Sequence, residues 1–238
     1  MTADQPIAYW QFNDAIGASE YVDSSGHGNN LPAGPTTLTS HVGPGSAGAI
    51  SLAQGGTSTR APLSPLVGDA ARTAEAWFKT TSGGCVLVAG ADGHTGAFSL
   101  CLMDGPVNSP TPGAPGFYLQ TWDADIFIPI PNMTDDRWHY LALTLSGTTV
   151  HIVIDGTQPP GYVWNGTGYG GLTTQPFTLP YTPDTGSSPL GVGTAGLGGI
   201  SRGLAGTIAE VAIYPRALPV SELIKHYQLF AGSSNPAR

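Results

Sequence analysis

The sequence predicts an all-β fold, a two-sheet antiparallel β-sandwich with one short C-terminal helix. Three observations predict it. Short apolar runs of strand length recur along the chain, the 34 glycines and 21 prolines lie between those runs, and a helical pattern of apolar residues occurs once, near the C-terminus. A chain of 238 residues can bury a substantial core, and β-sandwiches of this length commonly form one unit.

About eleven runs have the length and composition of strands. They cover residues 7–13, 47–53, 72–80, 85–90, 96–103, 116–122, 125–130, 138–145, 150–155, 189–193 and 205–214. The helix is predicted over 219–230. Pro219 falls in its first turn, and Val220, Leu223, Ile224 and Tyr227 share one stripe of its surface.

The stretch DDRWHYLALTLSGTTVHIVIDG, residues 135–156, predicts the register of one hairpin. Leucines at alternate positions of 141–145 share one face of a strand, and valine and isoleucine at alternate positions of 150–154 share one face of the next. Pairing Leu145 with Val150 places both rows on the same side of the sheet, and a slip of one residue would separate them. The four residues between them then form the turn.

Composition and charge exclude two classes of function. The formal net charge is -8, and Lys79 and Lys225 are the only lysines, so the chain lacks the basic stripe that a nucleic-acid partner requires. No run of 18 apolar residues occurs, which argues against membrane insertion. The N-terminus has no secretory leader pattern, and a predicted strand begins at Ile7.

Cys85 and Cys101 lie in two strand-like runs on either side of the turn ADGHTG. Antiparallel pairing of those runs could set the two side chains opposite each other, which would allow a cross-strand disulfide. The other interpretation is a pair of buried thiols that act as small apolar side chains. Because no secretory leader is present, the sequence favours two free thiols.

Several blocks of the sequence resemble laminin-G-like jelly-roll domains of the concanavalin A-like lectin/glucanase superfamily. The blocks are IAYWQFND, DSSGHGNN (23–30), TAEAWFKT, the 135–156 stretch and GLAGTIAEVAIYPRALPVSELIKHY (203–227). The resemblance implies a single jelly-roll domain over 1–238 with a long aromatic loop insertion at about 157–189. It also implies that the C-terminal strand and helix close the sandwich beside the N-terminal strand.

The resemblance gives the 135–139 turn a structural role. Trp138 is expected to pack at the edge of the sandwich, and Asp135 or Asp136 to stabilise the turn before it. His139 is then a structural residue and not a catalytic base. The family implies three classes of function, which are glycan binding, protein–protein adhesion and, in some relatives, glycoside hydrolysis, and the fold alone does not choose among them.

Glycoside hydrolysis requires two carboxyl groups that flank the scissile bond. Glucanase relatives carry them in a Glu-x-Asp-x-x-Glu run on one strand, and this chain has no such run. Its four glutamates are Glu20, Glu75, Glu210 and Glu222. The family pattern often carries a glutamate that is not catalytic at the positions of Glu75 and Glu210. Asp123 and Asp125 could form a pair, but a polar turn between two strands is the favoured interpretation. The sequence therefore predicts a protein that is not an enzyme.

A structural calcium ion is one interpretation of the oxygen-rich residues near the first strand. Asp14, Asp23 and Asn29, with Ser25, could supply several of the six to eight oxygens that Ca²⁺ takes. Related folds often add an aspartate before the C-terminal strand, where this chain has Ala209. The favoured alternative is an Asx-rich turn that is capped by its own side chains. No cofactor is predicted to be required.

Two groups of residues are candidates for a ligand-binding surface. Trp122 with Asp123 and Asp125 forms the first. The long loop supplies the second, which consists of Tyr162, Trp164, Asn165, Tyr169 and Tyr181. Aromatic rings beside polar groups suit carbohydrate, and Tyr, Trp, Gly and Asn also suit protein recognition. The alternative is that the loop folds over the sheet and buries its aromatic residues.

These observations favour a non-enzymatic recognition module of a bacteriophage virion, carried on its tail or another surface appendage, that contacts host-envelope glycan. A virion protein is made in the host cytoplasm without a leader and meets surface glycans after lysis. One alternative is a structural or decoration protein of the virion that uses the aromatic loop as a subunit interface, within a homo-oligomer. Another is a glycoside hydrolase or its detached binding domain. The expected partners are bacterial envelope glycan and other virion proteins.

Overall fold

The computed structural model describes residues 1–39, 43–53, 56–105, 109–196 and 203–234. The strands are β1 (Ala8–Trp10), β2 (Glu20–Tyr21), β3 (Leu31–Pro32), β4 (Thr37–Thr39), β5 (Ala49–Ala53), β6 (Thr57–Ser58), β7 (Arg72–Thr80), β8 (Gly84–Gly90), β9 (Ala97–Asp104), β10 (Pro115–Gln120), β11 (Ile126–Pro129), β12 (His139–Ser146), β13 (Thr149–Ile154), β14 (Tyr162–Val163), β15 (Phe177–Thr178), β16 (Gly191–Val192) and β17 (Ala205–Tyr214). The α-helix α1 spans Val220–Ser234, and short 3₁₀ turns span Thr2–Asp4, Pro44–Ser46 and Ser64–Leu66.

Two large antiparallel sheets form the sandwich that the sequence predicts. The helix-side sheet has the order β15-β13-β12-β7-β17-β5-β4, and β1 also pairs with β17. The second sheet has the order β14-β11-β10-β9-β8-β16-β6, and β2 pairs with β3 in a separate small hairpin. The pairing of β1 with β17 confirms that the C-terminal strand lies beside the N-terminal strand.

The predicted hairpin register is confirmed. Leu145 pairs with Val150, Leu143 with Ile152, and the same antiparallel register continues to the start of β12. These side chains are all buried between the two sheets in one large apolar cluster. The alternation of the sequence therefore fixes which face of the β12–β13 hairpin enters the core.

The outer face of the helix-side sheet is also buried, because α1 packs across it. The predicted apolar stripe of the helix makes the contact: Leu223 is fully buried, and the Tyr227 ring stacks on Trp77 with centroids 5.7 Å apart. Phe230 meets the same indole edge-on at 6.4 Å. Because both faces of the sheet are covered here, β7 is buried along almost its whole length and shows no alternation of buried and exposed residues. α1 extends past the predicted end at residue 230 to Ser234.

A buried polar network joins the two ends of the chain beneath α1. Glu75, fully buried on β7, accepts hydrogen bonds from the hydroxyls of Tyr140 and Tyr214. His226 of the helix lies with Nδ1 3.1 Å from both Glu75 carboxylate oxygens and Nε2 3.0 Å from Asp4 Oδ2. The N-terminal 3₁₀ turn, the sheet and the C-terminal helix are thereby tied together through the His226 imidazole.

Glu210 occupies a bulge in β17, at which the register with β7 shifts between Ala209 and Ala212. Its backbone has φ +51°, and its carboxylate accepts a hydrogen bond from the Tyr9 hydroxyl. Burial raises the pKa of Glu210 to about 7, against the lowering effect of that hydrogen bond. The bulge turns this side chain under α1 with the polar network, so it has a structural position.

Several predicted strands are shorter in the structure, and several short strands were not predicted. The run 7–13 forms a strand only to Trp10, because Phe12 adopts φ +55° and Asn13 Oδ1 then accepts Gly48 N–H at 2.8 Å. The unpredicted strands β2, β3, β4, β6, β14 and β15 have two or three residues each. Pairs this short carry no alternating pattern, so only their partners reveal them.

The long loop 157–189 runs along one edge of the sandwich and pairs with both sheets. β14 extends the second sheet beside β11, and β15 extends the helix-side sheet beside β13. The side-chain amide of Gln175 takes the place of a neighbouring strand's backbone. It accepts Ile152 N–H at 2.6 Å and donates to Ile152 O at 2.8 Å. The loop therefore covers the exposed edge of β13.

The prediction of two free thiols is wrong, because Cys85 and Cys101 form a disulfide. β8 and β9 pair with these two residues directly opposite each other, and both are fully buried on the outer face of the second sheet. The hairpin register of β8 and β9, which sets the two residues opposite each other, accounts for the bond.

Replacing both cysteines with alanine is expected to lower the free energy of unfolding by about 3 kcal/mol. The bond joins residues 16 positions apart, and a closed loop of that length restricts the unfolded chain by about this amount. Denaturant unfolding of the double variant beside the wild type measures the loss. Labelling of both thiols by an alkylating reagent in the native, unreduced protein would contradict the assignment.

Candidate functional site

Four separate segments meet at one end of the second sheet. They are the turn 121–125 between β10 and β11, the turn 91–96 between β8 and β9, and residues 164–170 and 181–185 of the long loop. Backbone hydrogen bonds join them: Thr95 N–H donates to Trp122 O at 2.9 Å, Trp164 N–H to Asp125 O at 2.8 Å, and Asp184 N–H to Thr95 O at 3.2 Å. The two groups of candidate ligand-binding residues therefore form one surface.

We call this surface the aromatic edge and define it by Trp122, Trp164, Tyr169 and Tyr181 together with His94. The first three rings are half-buried, and Tyr181 is 40% exposed. Trp164 meets Tyr169 edge-on with centroids 5.3 Å apart, and His94 meets Tyr181 similarly at 4.8 Å. The loop thus buries Phe177 in the core but leaves part of the Trp164, Tyr169 and Tyr181 rings accessible.

Asp125 holds the 121–125 turn in shape. Its Oδ1 accepts the backbone N–H groups of Thr121 and Trp122, both at 2.9 Å, and its Oδ2 accepts the Tyr118 hydroxyl. Burial raises the pKa of Asp125, and these hydrogen bonds act in the opposite direction. Trp122 and Asp123 both adopt positive φ angles, +63° and +75°. Asp125 therefore positions Trp122 by fixing an otherwise unfavourable backbone.

Asp123 is the exposed carboxylate of the same turn. Its Oδ2 lies 2.7 Å from His94 Nδ1, and both side chains face solvent over about half of their surface or more. Asp123 and Asp125 point to different partners, which agrees with the polar-turn interpretation.

Asn165 caps its own turn, since its Oδ1 accepts the N–H groups of Thr167 and Gly168 at 3.1 Å.

Tyr162 lies beside the aromatic edge but outside the cluster of ring contacts. It stands two residues before Trp164 and pairs with Phe127 across β14 and β11, while Val163 between them packs against the core. His94 and Tyr118 are site residues that the sequence analysis missed. No motif marks either residue. His94 stands in a hairpin turn that strand pairing brings beside Trp122, and Tyr118 lies in β10, which leads into the 121–125 turn.

The other carboxylates considered for hydrolysis have structural partners. Glu20 pairs with Arg60 at 3.0 Å and Glu222 with Lys225 at 2.7 Å. Glu75 and Glu210 are buried and accept hydrogen bonds from tyrosine hydroxyls. Both oxygens of Asp125 accept hydrogen bonds within its own turn and from Tyr118.

The residues proposed as calcium ligands are engaged in turn hydrogen bonds. Asp23 Oδ1 accepts the N–H groups of Tyr9 and Ser25 at 2.9 Å, and its Oδ2 accepts Asn29 N–H at 3.0 Å. Asp14 Oδ1 accepts Val22 N–H at 3.0 Å. These contacts agree with the Asx-rich turn, and across the described ranges no group of three or more His, Cys, Asp or Glu side chains could hold a metal ion. Calcium binding stays a prediction.

The 135–139 turn has the structural role that the resemblance implies. Asp135 Oδ1 accepts Arg137 N–H at 3.0 Å, and Trp138 packs in the apolar cluster under α1. His139 is held between two carboxylates, with Nδ1 2.8 Å from Asp155 Oδ2 and Nε2 3.0 Å from Asp135 Oδ1. A pocket of about 210 Å³ opens beside them.

Replacing His139 with asparagine is expected to remove a pH-dependent part of the stability. Burial lowers the pKa of His139, but the hydrogen bond and charge of Asp155 and then Asp135 outweigh it, so the pKa is raised. The imidazolium therefore stabilises the fold fully below the unfolded pKa of about 6.5 and loses that effect as pH rises through the folded value. Unfolding free energies of both proteins from about pH 5 to about pH 9 measure it. Parallel curves at a constant offset would contradict it.

Comparison with known families places the fold. A family model described as the concanavalin A-like lectin/glucanases superfamily, of laminin-G-like type, matches residues 53–224, which is more than half of the chain. The chain belongs to the concanavalin A-like lectin/glucanase superfamily. Superfamily membership confirms the laminin-G-like jelly roll predicted from the sequence blocks. No curated protein sequence matches the chain.

Solved structures of low sequence identity share this superfamily fold. Domain 4 of an extracellular arabinanase from Geobacillus stearothermophilus, in complex with arabinotriose, is 17% identical with a TM-score of 0.57, and the match covers 93% of this chain and 97% of that domain. Trypanosoma rangeli sialidase in complex with sialic acid is 13% identical with a TM-score of 0.57, over 92% of this chain and 32% of the sialidase.

The binding domain of botulinum neurotoxin serotype D is 12% identical with a TM-score of 0.55, over 94% of this chain and 52% of that chain. The matched region therefore spans nearly the whole arabinanase domain, but only about a third of the length of the sialidase and about half of the length of the neurotoxin chain. At these identities the likeness concerns the fold. The fold occurs both in glycoside hydrolases and in binding domains, so it leaves enzymatic activity open.

No helix in the described ranges is long and apolar enough to cross a membrane.

Proposed function

We propose that this protein is a non-enzymatic glycan-binding module and that the aromatic edge is its binding surface. One observation carries the proposal. Four segments from distant parts of the sequence converge so that Trp122, Trp164, Tyr169 and Tyr181 present partly exposed rings on one surface. Rigid rings supply large contact areas at a low cost in conformational entropy, and the neighbouring polar groups can orient sugar hydroxyls.

The positions of the carboxylates favour binding over hydrolysis. A glycosidase needs one carboxyl group as acid and another as nucleophile or base, both free to reach the substrate. Of the two carboxylates in the 121–125 turn, Asp125 is committed to its own turn, and only Asp123 faces solvent. This arrangement supports recognition of a sugar without its cleavage.

We further propose that the module acts outside the reducing cytoplasm, on the surface of a bacteriophage virion that contacts host-envelope glycan. The Cys85–Cys101 disulfide supports a site of action in an oxidising environment, because such bonds persist there. The virion itself is proposed from the sequence, and peptide mass spectrometry of purified phage particles tests it. Absence of the chain from particles whose genome encodes it would overturn this part.

Binding of the purified protein to an array of bacterial envelope glycans tests the function. Wild type and Leu229→Ala, a control at an exposed position on α1, are expected to bind the same glycans with saturation. A calcium chelator is expected to change neither, because backbone N–H groups already occupy both Asp23 oxygens. Loss of binding on chelation would restore the structural calcium site.

A blank array with correctly folded protein would overturn glycan binding. The aromatic edge would then be better explained as a subunit interface of a structural protein. Light scattering distinguishes that outcome, since the interface requires a stable homo-oligomer whose mass falls to that of one chain when Trp164 and Tyr181 are replaced.

A further inference from the structure

The segments that form the aromatic edge carry negative charge and no lysine or arginine. They contain Asp92, Asp123, Asp125 and Asp184, and His94 is the one basic side chain in their sequence. Arg72 donates a hydrogen bond to Thr185 Oγ1 beneath the edge at 3.2 Å, but it is fully buried. Its charge offsets one of the four carboxylates, and a ligand cannot contact it. The surface that meets a ligand is therefore acidic.

The carboxylates of the aromatic edge also supply free hydrogen-bond acceptors. Asp123 uses one oxygen for His94, and the exposed Asp184 carboxylate adds two more acceptors. Carboxylate oxygens can only accept, so a ligand that meets them must supply donors.

Burial strengthens the effect of these charges. Asp125 is partly buried within the turn that carries Trp122, where solvent screens its charge less than at an open surface. A carboxylate on a ligand would meet this charge and the exposed Asp123 and Asp184. The segments offer it no lysine or arginine, and His94 is already hydrogen-bonded to Asp123. An ammonium group would meet acceptors and partly exposed aromatic faces, both of which attract a cation.

We propose that the aromatic edge selects glycans by charge, taking amino sugars and neutral sugars and excluding sugars that carry a carboxylate. The inference rests on the proposed function and specifies the ligand class of the same site. Like charges placed face to face across an interface disfavour a wrong partner, and this is how the edge excludes acidic glycans.

Three polymers with a β-1,4-linked glucose-type backbone test the inference: chitosan, hydroxyethyl cellulose and carboxymethyl cellulose, which are cationic, neutral and anionic. Retardation of the native protein in gels that contain each polymer gives an apparent affinity. Chitosan is expected to bind most tightly, and carboxymethyl cellulose at least about tenfold more weakly than hydroxyethyl cellulose. Trp122→Ala is expected to weaken binding to both polymers that bind.

A charge-matched pair of variants separates local selection from the attraction of an acidic protein to a cationic polymer. Asp123→Asn with Asp184→Asn removes two charges at the edge, and Glu20→Gln with Glu222→Gln removes two charges at exposed ion pairs elsewhere. The edge variant is expected to bind carboxymethyl cellulose about fivefold more tightly and chitosan more weakly, and the control to change neither by more than about twofold.

Equal effects of the two double variants would overturn the inference, as would wild-type binding of carboxymethyl cellulose as tight as that of hydroxyethyl cellulose. Absence of binding to all three polymers would also overturn it. The proposed function survives each of these outcomes if the bacterial glycan array shows saturable binding that depends on Trp122, so the two failures are distinguishable.

Discussion

Replacing Glu75 with alanine is expected to lower the free energy of unfolding by about 3–5 kcal/mol. The substitution removes the acceptor of the Tyr140 and Tyr214 hydroxyls and leaves His226 with Asp4 as its one remaining carboxylate partner. Buried polar groups that lose their partner retain the full cost of desolvation. The loss extends to the packing of α1, because His226 joins the helix to β7 through Glu75.

Chemical denaturation of Glu75→Ala measures the effect, with Glu222→Ala as the matched control. Glu222 pairs with Lys225 on the exposed side of the same helix, and removal of such a pair changes stability by at most about 1 kcal/mol. Glu75→Gln can still accept one tyrosine hydroxyl and is expected to fall between the two. A loss at Glu75→Ala no larger than that at Glu222→Ala would contradict the structural role of the network.

Replacing Trp122 and Trp164 together with alanine is expected to weaken glycan binding by on the order of a hundredfold or more. Central aromatic residues of an interface commonly contribute about 2 kcal/mol each when truncated, and both rings lie on the proposed surface. Titration of the best-binding array glycan against each single variant and the double variant measures the effect.

Folding and binding effects must be separated in that experiment. Both rings are half-buried, so a small loss of stability is expected, and the variants should keep the far-ultraviolet spectrum and a cooperative unfolding transition. Asp125→Asn serves as a second probe, because it disturbs the turn that positions Trp122 without removing a ring. Undiminished affinity in the folded double variant would contradict the assignment of the surface.

The sequence predicts those features that depend on local periodicity. The β12–β13 register follows from alternating apolar residues, and α1 follows from the stripe around Leu223. Both patterns are enforced by one buried face, so their physical cause is visible within about twenty residues of sequence.

Features that depend on the pairing of distant segments could not be predicted in the same way. The candidate residues Trp122 and Trp164 are named by composition alone, and their meeting through Asp125 O depends on the position of β14 beside β11. His94 reaches Asp123 only because two hairpin turns lie at the same end of the sheet. The Cys85–Cys101 pairing is local by contrast, because the β8–β9 hairpin sets the two residues opposite each other, as the sequence allows.

The indole N–H resonances of the five tryptophans test the central claim most directly. Trp122 and Trp164 lie on the aromatic edge, whereas Trp10, Trp77 and Trp138 are buried elsewhere and act as internal controls in the same sample. Titration of ¹⁵N-labelled protein with the best-binding array glycan is expected to shift the Trp122 and Trp164 signals and leave the other three in place. Shifts confined to Trp77 and Trp138 would move the binding site to the pocket beside His139 and contradict the account.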